Sequence, residues 1–332
     1  MATLYLTEQG SVLRKTSKRL TVEKEGEVLL EVPEFKVERV LIFGNVQIST
    51  QAMAFLLDSG IETAFLSIYG RFRGRLTPME SKNIFLRIKQ YEKYLDNAFR
   101  LAHSKDIVRA KLQNARTLLM RYSRNHPEVE LEESKKHIEE CLDKINHKET
   151  INSLMGVEGT ASSVYFRAFG QLFRRELKFE GRERRPARDP INSLLSFGYT
   201  LVTNELISLT CALGFDPYIG YLHGLEYGRP SLALDLIEEF RHPIIDRFTL
   251  YLINNQILKE QDFEDKAEEG VLLLDNARKT YFLQYEKYMA REIESNISDT
   301  KKTYRELFKL QVHQFMDTIQ NDSNYKPYFM SD

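Results

Sequence analysis

The segment from Tyr221 to Arg241, YLHGLEYGRPSLALDLIEEFR, holds the residue types best suited to chemistry. Its first half is a loop by composition, with Gly224, Gly228 and Pro230 around His223. Its second half starts a helix: Pro230 and Ser231 are entry residues, and Leu232, Leu234, Leu236, Ile237 and Phe240 supply a buried face. Asp235 and Glu238 are three residues apart on that helix, so their carboxylates share a face. A histidine on a glycine-hinged loop can fold back onto it. One imidazole with one or two carboxylates suits a hard or borderline divalent cation such as Mn²⁺ or Mg²⁺. The same residues have an ordinary reading too: a solvated helix face with Glu238 paired to Arg241, and His223 as a turn residue.

A second carboxylate stands out by its neighbours. Glu158 lies between Gly156 and Gly159 in an expected helix from Ile151 to Phe173. Each glycine costs a helix about 1 kcal/mol relative to alanine. Either a ligand or another backbone approaches closely there, or two helices cross tightly. Tyr165, two turns on from Glu158, can reach a phosphate or simply finish the core. The loop EGRERRPARDP carries Arg182, Arg184, Arg185 and Arg188, which suit phosphate contact or a solvated connection. Arg229 is a further phosphate-positioning candidate, and Ser193 and Ser196 can face the same cleft. His242 and His313 each lie four residues from a carboxylate and are read as structural. No Walker-type loop, no G-x-G-x-x-G opening a helix, and no Ser-His-Asp or Cys-His arrangement is present.

These residues need a scaffold, and the pattern supplies one of the α+β class. Residues 1–77 read as a small β-sandwich of short Val-, Leu- and Ile-rich runs, with one helix capped by Thr50 and a basic ribbon, RFRGRL, carrying Arg71 and Arg73. Pro78 marks the boundary, and residues 78–332 read as a larger all-α domain. Ile84, Ile88, Tyr91 and Leu95 recur at helical spacing, as do Ile107, Ala110, Leu112, Ala115, Leu118 and Leu119, with Lys89, Arg109, Lys111 and Arg116 on opposite faces. Val271–Leu274 reads as a short β or extended contact, and the last residues, NDSNYKPYFMSD, as a frayed tail able to order on a partner.

Composition narrows the setting. There is no apolar run long enough for a bilayer and no signal-peptide core, and Cys141 and Cys211 have no paired spacing, which together fit a reducing cytoplasm. The net charge is −1, but it is segregated. From Arg71 to Arg124 there are fourteen Lys/Arg against four Asp/Glu, and from Arg167 to Arg188 eight against three. Segregation of this kind marks a polyanion-binding face, or two solvated helical faces.

Three blocks in order carry a resemblance: GVEGTASSVYF at Gly156–Phe166, RRPARDPINSLLSFGY at Arg184–Tyr199, and the Tyr221–Arg241 segment. Together they resemble the CRISPR-associated adaptation integrases, the spacer-acquisition endonuclease family, over essentially the whole chain. The resemblance implies that Glu158, His223 and Glu238 are metal ligands, with Asp235 an alternate ligand or supporting acid. Some members carry Asp where this chain has Glu238. It further implies insertion of short DNA into a CRISPR array by attack of a 3′-hydroxyl on the repeat phosphodiester. The implied assembly is a homodimer through the β-domain, two dimers being bridged by a small ferredoxin-like partner into a hetero-hexamer. A stand-alone endonuclease on branched or single-stranded nucleic acid, and a non-enzymatic DNA-binding scaffold, are the other readings the residues allow.

Overall fold

The first strands pair into two four-stranded sheets. The computed structural model describes residues 2–77, 83–174, 177, 179–183 and 186–331. The chain divides into two compact units, Met1–Glu80 and Ser81–Asp332, and the expected boundary residue Pro78 lies outside the described residues.

In the first unit, β1 (Ala2–Leu6), β2 (Val12–Thr16), β3 (Arg19–Lys24), β4 (Glu27–Pro33), β5 (Val37–Phe43) and β6 (Gln47–Ile48) precede helix α1 (Thr50–Asp58), followed by β7 (Glu62–Leu66) and β8 (Phe72–Leu76). One sheet runs β1-β5-β7-β8 and the other β4-β3-β2-β6. Both contribute to one core with α1, through Leu4, Leu13, Leu20, Val40, Ile42 and Leu56 among others. The sheets are mixed: β1–β5, β5–β7 and β2–β6 pair in parallel. Parallel pairing needs crossovers, which α1 supplies between β5 and β7, so the unit departs from a simple antiparallel sandwich. The near-continuous apolar run of β5 suits a central strand between two parallel neighbours. Ser49, not Thr50, caps α1, its side chain accepting the N–H of Ala52. At one sheet edge β4 leaves Val28, Leu29 and Leu30 exposed.

The second unit is built on helices α2 (Ile84–Leu95), α3 (Asn97–Asn125), α4 (Glu132–Ile145), α5 (Ile151–Gly170), α6 (Pro190–Leu213) and α7 (Ser231–Ile237). A π-helical segment, Arg241–Asp246, leads into α8 (Arg247–Asn254). Pro243 has no N–H to give the α-helical ladder, and the wider turn absorbs it without breaking the rod. The unit is not all-α. Hairpins β9 (Phe263–Lys266) with β10 (Gly270–Leu273), and β11 (Glu292–Ser295) with β12 (Ser298–Thr303), flank α9 (Asp275–Met289), before the final helix α10 (Tyr304–Asn321). Four-residue runs cannot complete the turns a helix needs, and β10 is tied instead to Ala187 through the N–H of Val271.

Two expectations on packing are reversed. The Ile84, Ile88, Tyr91 and Leu95 stripe of α2 faces outward, Leu95 being 77% exposed, while Leu86 and Gln90 are buried. The C-terminal tail is not frayed: Tyr325, Tyr328 and Met330 are buried. Glu239 receives the Tyr325 hydroxyl and the Tyr328 N–H, and Asn114 bonds both Tyr328 O and the Met330 N–H. A buried carboxylate and a buried amide that need partners thus draw the tail in.

Candidate metal centre

Three stretches of the second unit converge. Helix α5, capped by the Thr150 side chain on the Ser153 N–H, carries Glu158. The loop before α7 carries His223, and Glu238 follows the last turn of α7. The loop is held close because Gly220 lies against Ser231, where a Cβ would come within 2.5 Å of the Ser231 side chain. Gly224 turns it with φ +67°, a conformation that favours glycine.

Asp235 fixes the loop onto the helix. Its Oδ2 accepts the N–H groups of Tyr221 (2.5 Å) and Leu222 (3.0 Å). Its Oδ1 accepts the N–H of His223 (3.0 Å) and faces His223 Nδ1 at 2.7 Å. A carboxylate only accepts, so Nδ1 carries the ring proton and Nε2 keeps its lone pair. Nε2 lies 3.8 Å from Glu238 Oε1. With four donors on its two oxygens, Asp235 has no vacant position for a cation; of its two expected roles, the supporting one fits.

Lys111 stands between the two glutamates. Expected on the solvated face of α3, it is 7% exposed, with its ammonium 2.5 Å from Glu158 Oε1 and 2.7 Å from Glu238 Oε2. Glu238 Oε2 is buried, with the Lys111 ammonium as its close partner. Ser162 donates to Glu158 Oε1 at 2.7 Å, and Arg241 Nε lies 3.0 Å from Glu238 Oε1, the ion pair foreseen from their spacing. Burial alone raises the Glu238 carboxyl, but the charges of Arg241 and Lys111 outweigh it and hold it well below the usual carboxylate range. Burial likewise raises Glu158, and Lys111 brings it down against the opposing charge of Glu238.

Arg241 stacks on the Tyr199 ring at 4.6 Å, and Arg182 lies over the same ring at 5.4 Å. Beneath them Asp246 accepts the hydroxyls of Tyr165 and Tyr199 and pairs with His242 Nδ1. Tyr165 is fully buried, so of its two expected roles it fills the core one and has no surface for a phosphate. His242 is buried and His313 exposed.

The sequence model of CRISPR associated protein Cas1 matches residues 4–287. The chain belongs to this family. A CRISPR-associated endonuclease Cas1 of Thermus thermophilus is 34% identical over 328 residues, 98% of this chain and 96% of the relative. A solved Cas1 protein from Thermotoga maritima superposes with a TM-score of 0.84 at 27% identity, covering 98% of this chain and 99% of the other. A casposase bound to integration product shares the fold, with a TM-score of 0.86 at 22% identity over 98% of this chain and 92% of its own.

For this Cas1-family chain the donor set fits a divalent cation: one imidazole lone pair and two carboxylates whose oxygens already face one cation, the Lys111 ammonium. As they stand, no three His, Cys, Asp or Glu among the described residues sit close enough to hold a metal, and the Lys111 ammonium lies between Glu158 and Glu238. Among the described residues, a Cβ at Gly156 or Gly159 would find nothing within 4 Å. No described helix therefore crosses tightly at these glycines, and open surface lies beside Glu158. Arg71 and Arg73 are exposed in the first unit. Arg188 is exposed and donates to Ala267 O, Arg229 pairs with Glu226, and Arg182 is engaged by Asn192 and Ser196. Arg184 and Arg185 lie outside the described residues. Sequence reasoning missed Lys111, whose signal was a lysine among the apolar positions Ala110 and Leu112 of one helix.

Proposed function

We propose that this chain is a metal-dependent DNA endonuclease and integrase of CRISPR adaptation, joining short DNA fragments to a repeat-bearing target. The observation that carries the reading is the convergence of Glu158 and Glu238 on the buried Lys111 ammonium, with the ring Nε2 of His223 3.8 Å from the other oxygen of Glu238. Glu158, His223 and Glu238 would hold Mn²⁺ or Mg²⁺, which supplies charge stabilisation at a phosphodiester and at its leaving oxygen. Asp235 keeps the imidazole in the ligating tautomer, and Arg241 keeps Glu238 ionised. The nucleophile is the 3′-hydroxyl of the incoming fragment, so no side-chain nucleophile is required.

Exposed arginines such as Arg71, Arg73 and Arg188 would hold the DNA backbone without reading bases. Arg182 would act nearer the site through Tyr199, with Arg229 beside the loop of His223. The first unit would form the homodimer, and the exposed apolar edge of β4 supports that role. A small ferredoxin-like adaptation protein would bridge two dimers in the cytoplasm; no helix among the described residues is long and apolar enough to cross a membrane.

The test is a strand-transfer assay with the purified protein, its small partner, a short duplex with free 3′-hydroxyls, a supercoiled repeat-bearing plasmid, and Mn²⁺ or EDTA. Metal-dependent joining that is lost in Glu158→Ala, His223→Ala and Glu238→Ala is expected. Cleavage without joining would turn the assignment into a stand-alone endonuclease. DNA binding with no metal-dependent product would leave only a scaffold.

A further inference from the structure

Resting on the reading of Glu158, His223 and Glu238 as metal ligands, we propose that Lys111 is a built-in counter-cation. It competes with the divalent ion for Glu158 and Glu238 and so sets the metal affinity of the site.

The geometry makes the two cations mutually exclusive. One ammonium contacts an oxygen of each glutamate, at 2.5 and 2.7 Å. An ion bound to both carboxylates would need the same space between them. Lysine is rarely buried, and it is retained only where it is paired. Here its pairing partners come from α5 and from the end of α7, far apart in sequence, so no local helix-surface pairing accounts for it.

Removal of Lys111 from between the glutamates leaves them unequally supported. Glu238 keeps Arg241, which is itself seated on Tyr199. Glu158 keeps only the Ser162 hydroxyl among its described polar contacts. Glu158 is therefore the ligand whose charge most needs a replacement cation. A displaced ammonium also needs an anion, and a DNA phosphate beside the open surface at Gly156 and Gly159 is of the right chemistry. Metal binding is then coupled to DNA binding: weak on the empty protein, tighter once a phosphate offers Lys111 another partner.

The experiment is a Mn²⁺ titration of the metal-free full chain, with unbound Mn²⁺ followed by electron paramagnetic resonance, with and without a short duplex. Wild type, Lys111→Met, Lys111→Gln and Glu158→Gln are compared. The neutral Lys111 variants should bind Mn²⁺ about tenfold or more tightly than wild type, and the duplex should tighten binding in wild type more than in them. Glu158→Gln should lose Mn²⁺. If Glu158→Gln loses the metal while the Lys111 variants match wild type or bind more weakly, the counter-cation idea is overturned and the ligand reading stands. If Glu158→Gln binds normally, the ligand reading falls and this inference with it. Should the neutral variants unfold without metal, refolding on addition of Mn²⁺ supports the proposal, and failure to refold overturns it.

Discussion

His223 and Asp235 meet twice: the aspartate Oδ1 takes both the backbone N–H of His223, at 3.0 Å, and its ring Nδ1, at 2.7 Å. One carboxylate thereby sets both where the loop lies and which ring nitrogen is bare. Asp235→Asn keeps the shape but turns one acceptor oxygen into an NH₂ donor, which must face either the His223 Nδ1–H or the N–H groups of Tyr221 and Leu222, so one side of the network is lost. We expect Mn²⁺ affinity to fall about 10- to 100-fold with the helical circular dichroism spectrum retained. A variant that binds Mn²⁺ like wild type would show that the tautomer of His223 is irrelevant to the site.

The edge of β4 bears on assembly. Val28, Leu29 and Leu30 are all exposed, on a strand with one unpaired side. An apolar edge of this kind is an aggregation hazard unless another chain covers it. The double variant Val28→Lys/Leu30→Lys should shift the light-scattering mass from a dimer to the 38.9 kDa monomer, without loss of the folded spectrum. A dimer that persists in this variant would place the interface elsewhere.

Legibility in the sequence followed the range of the forces. Local periodicity is enough to place α3, α5, α6 and α10 and the strands β2 to β5, because their apolar positions repeat within the element itself. The polar hairpin strand β12, SDTKKT, carries no such signal and forms through its pairing with β11. The outward stripe of α2 has the same spacing as a buried one, since periodicity gives a face but not its direction. The three-way convergence of Glu158, His223 and Glu238 was legible only through the resemblance. Their spacing in the chain fixes no distance between α5 and the α7 loop. Lys111 and the tail were hidden for the same reason, each being buried by partners remote in sequence.

The tail offers a stability test. Tyr328 is fully buried, stacks on Phe240 with ring centroids 5.1 Å apart, and gives its N–H to Glu239 at 2.7 Å. Glu239 follows Glu238 directly, so the tail braces the turn that presents the candidate ligand. Tyr328→Ala removes the ring and leaves a cavity, costing about 3–5 kcal/mol by analogy with other buried aromatics. Urea unfolding of this variant against wild type measures it. A loss below about 1 kcal/mol, within the range of ordinary surface substitutions, would mean that the tail is a passive cover.

His103 gives the fold an acid sensitivity of predictable sign. It is buried among Phe99, Tyr221, Phe315 and Tyr325, and neither ring nitrogen has a hydrogen-bond partner among the described residues. Burial lowers its pKa from 6.5 to about 4, against a smaller opposing pull from Asp235. Between those two values the unfolded chain binds the proton and the folded chain does not, so acidification favours unfolding. The stability that the neutral ring provides is fully present above pH 6.5 and is lost as the pH falls toward about 4. At 1.36 kcal/mol per pKa unit, this shift makes the loss about 3 kcal/mol. His103→Phe preserves the stacked cluster and has no proton to take up. Urea unfolding at neutral pH and near pH 4 should show wild type losing about 3 kcal/mol more than the variant, all other titrating groups being common to both. Equal losses in the two proteins would show that His103 is not the group responsible.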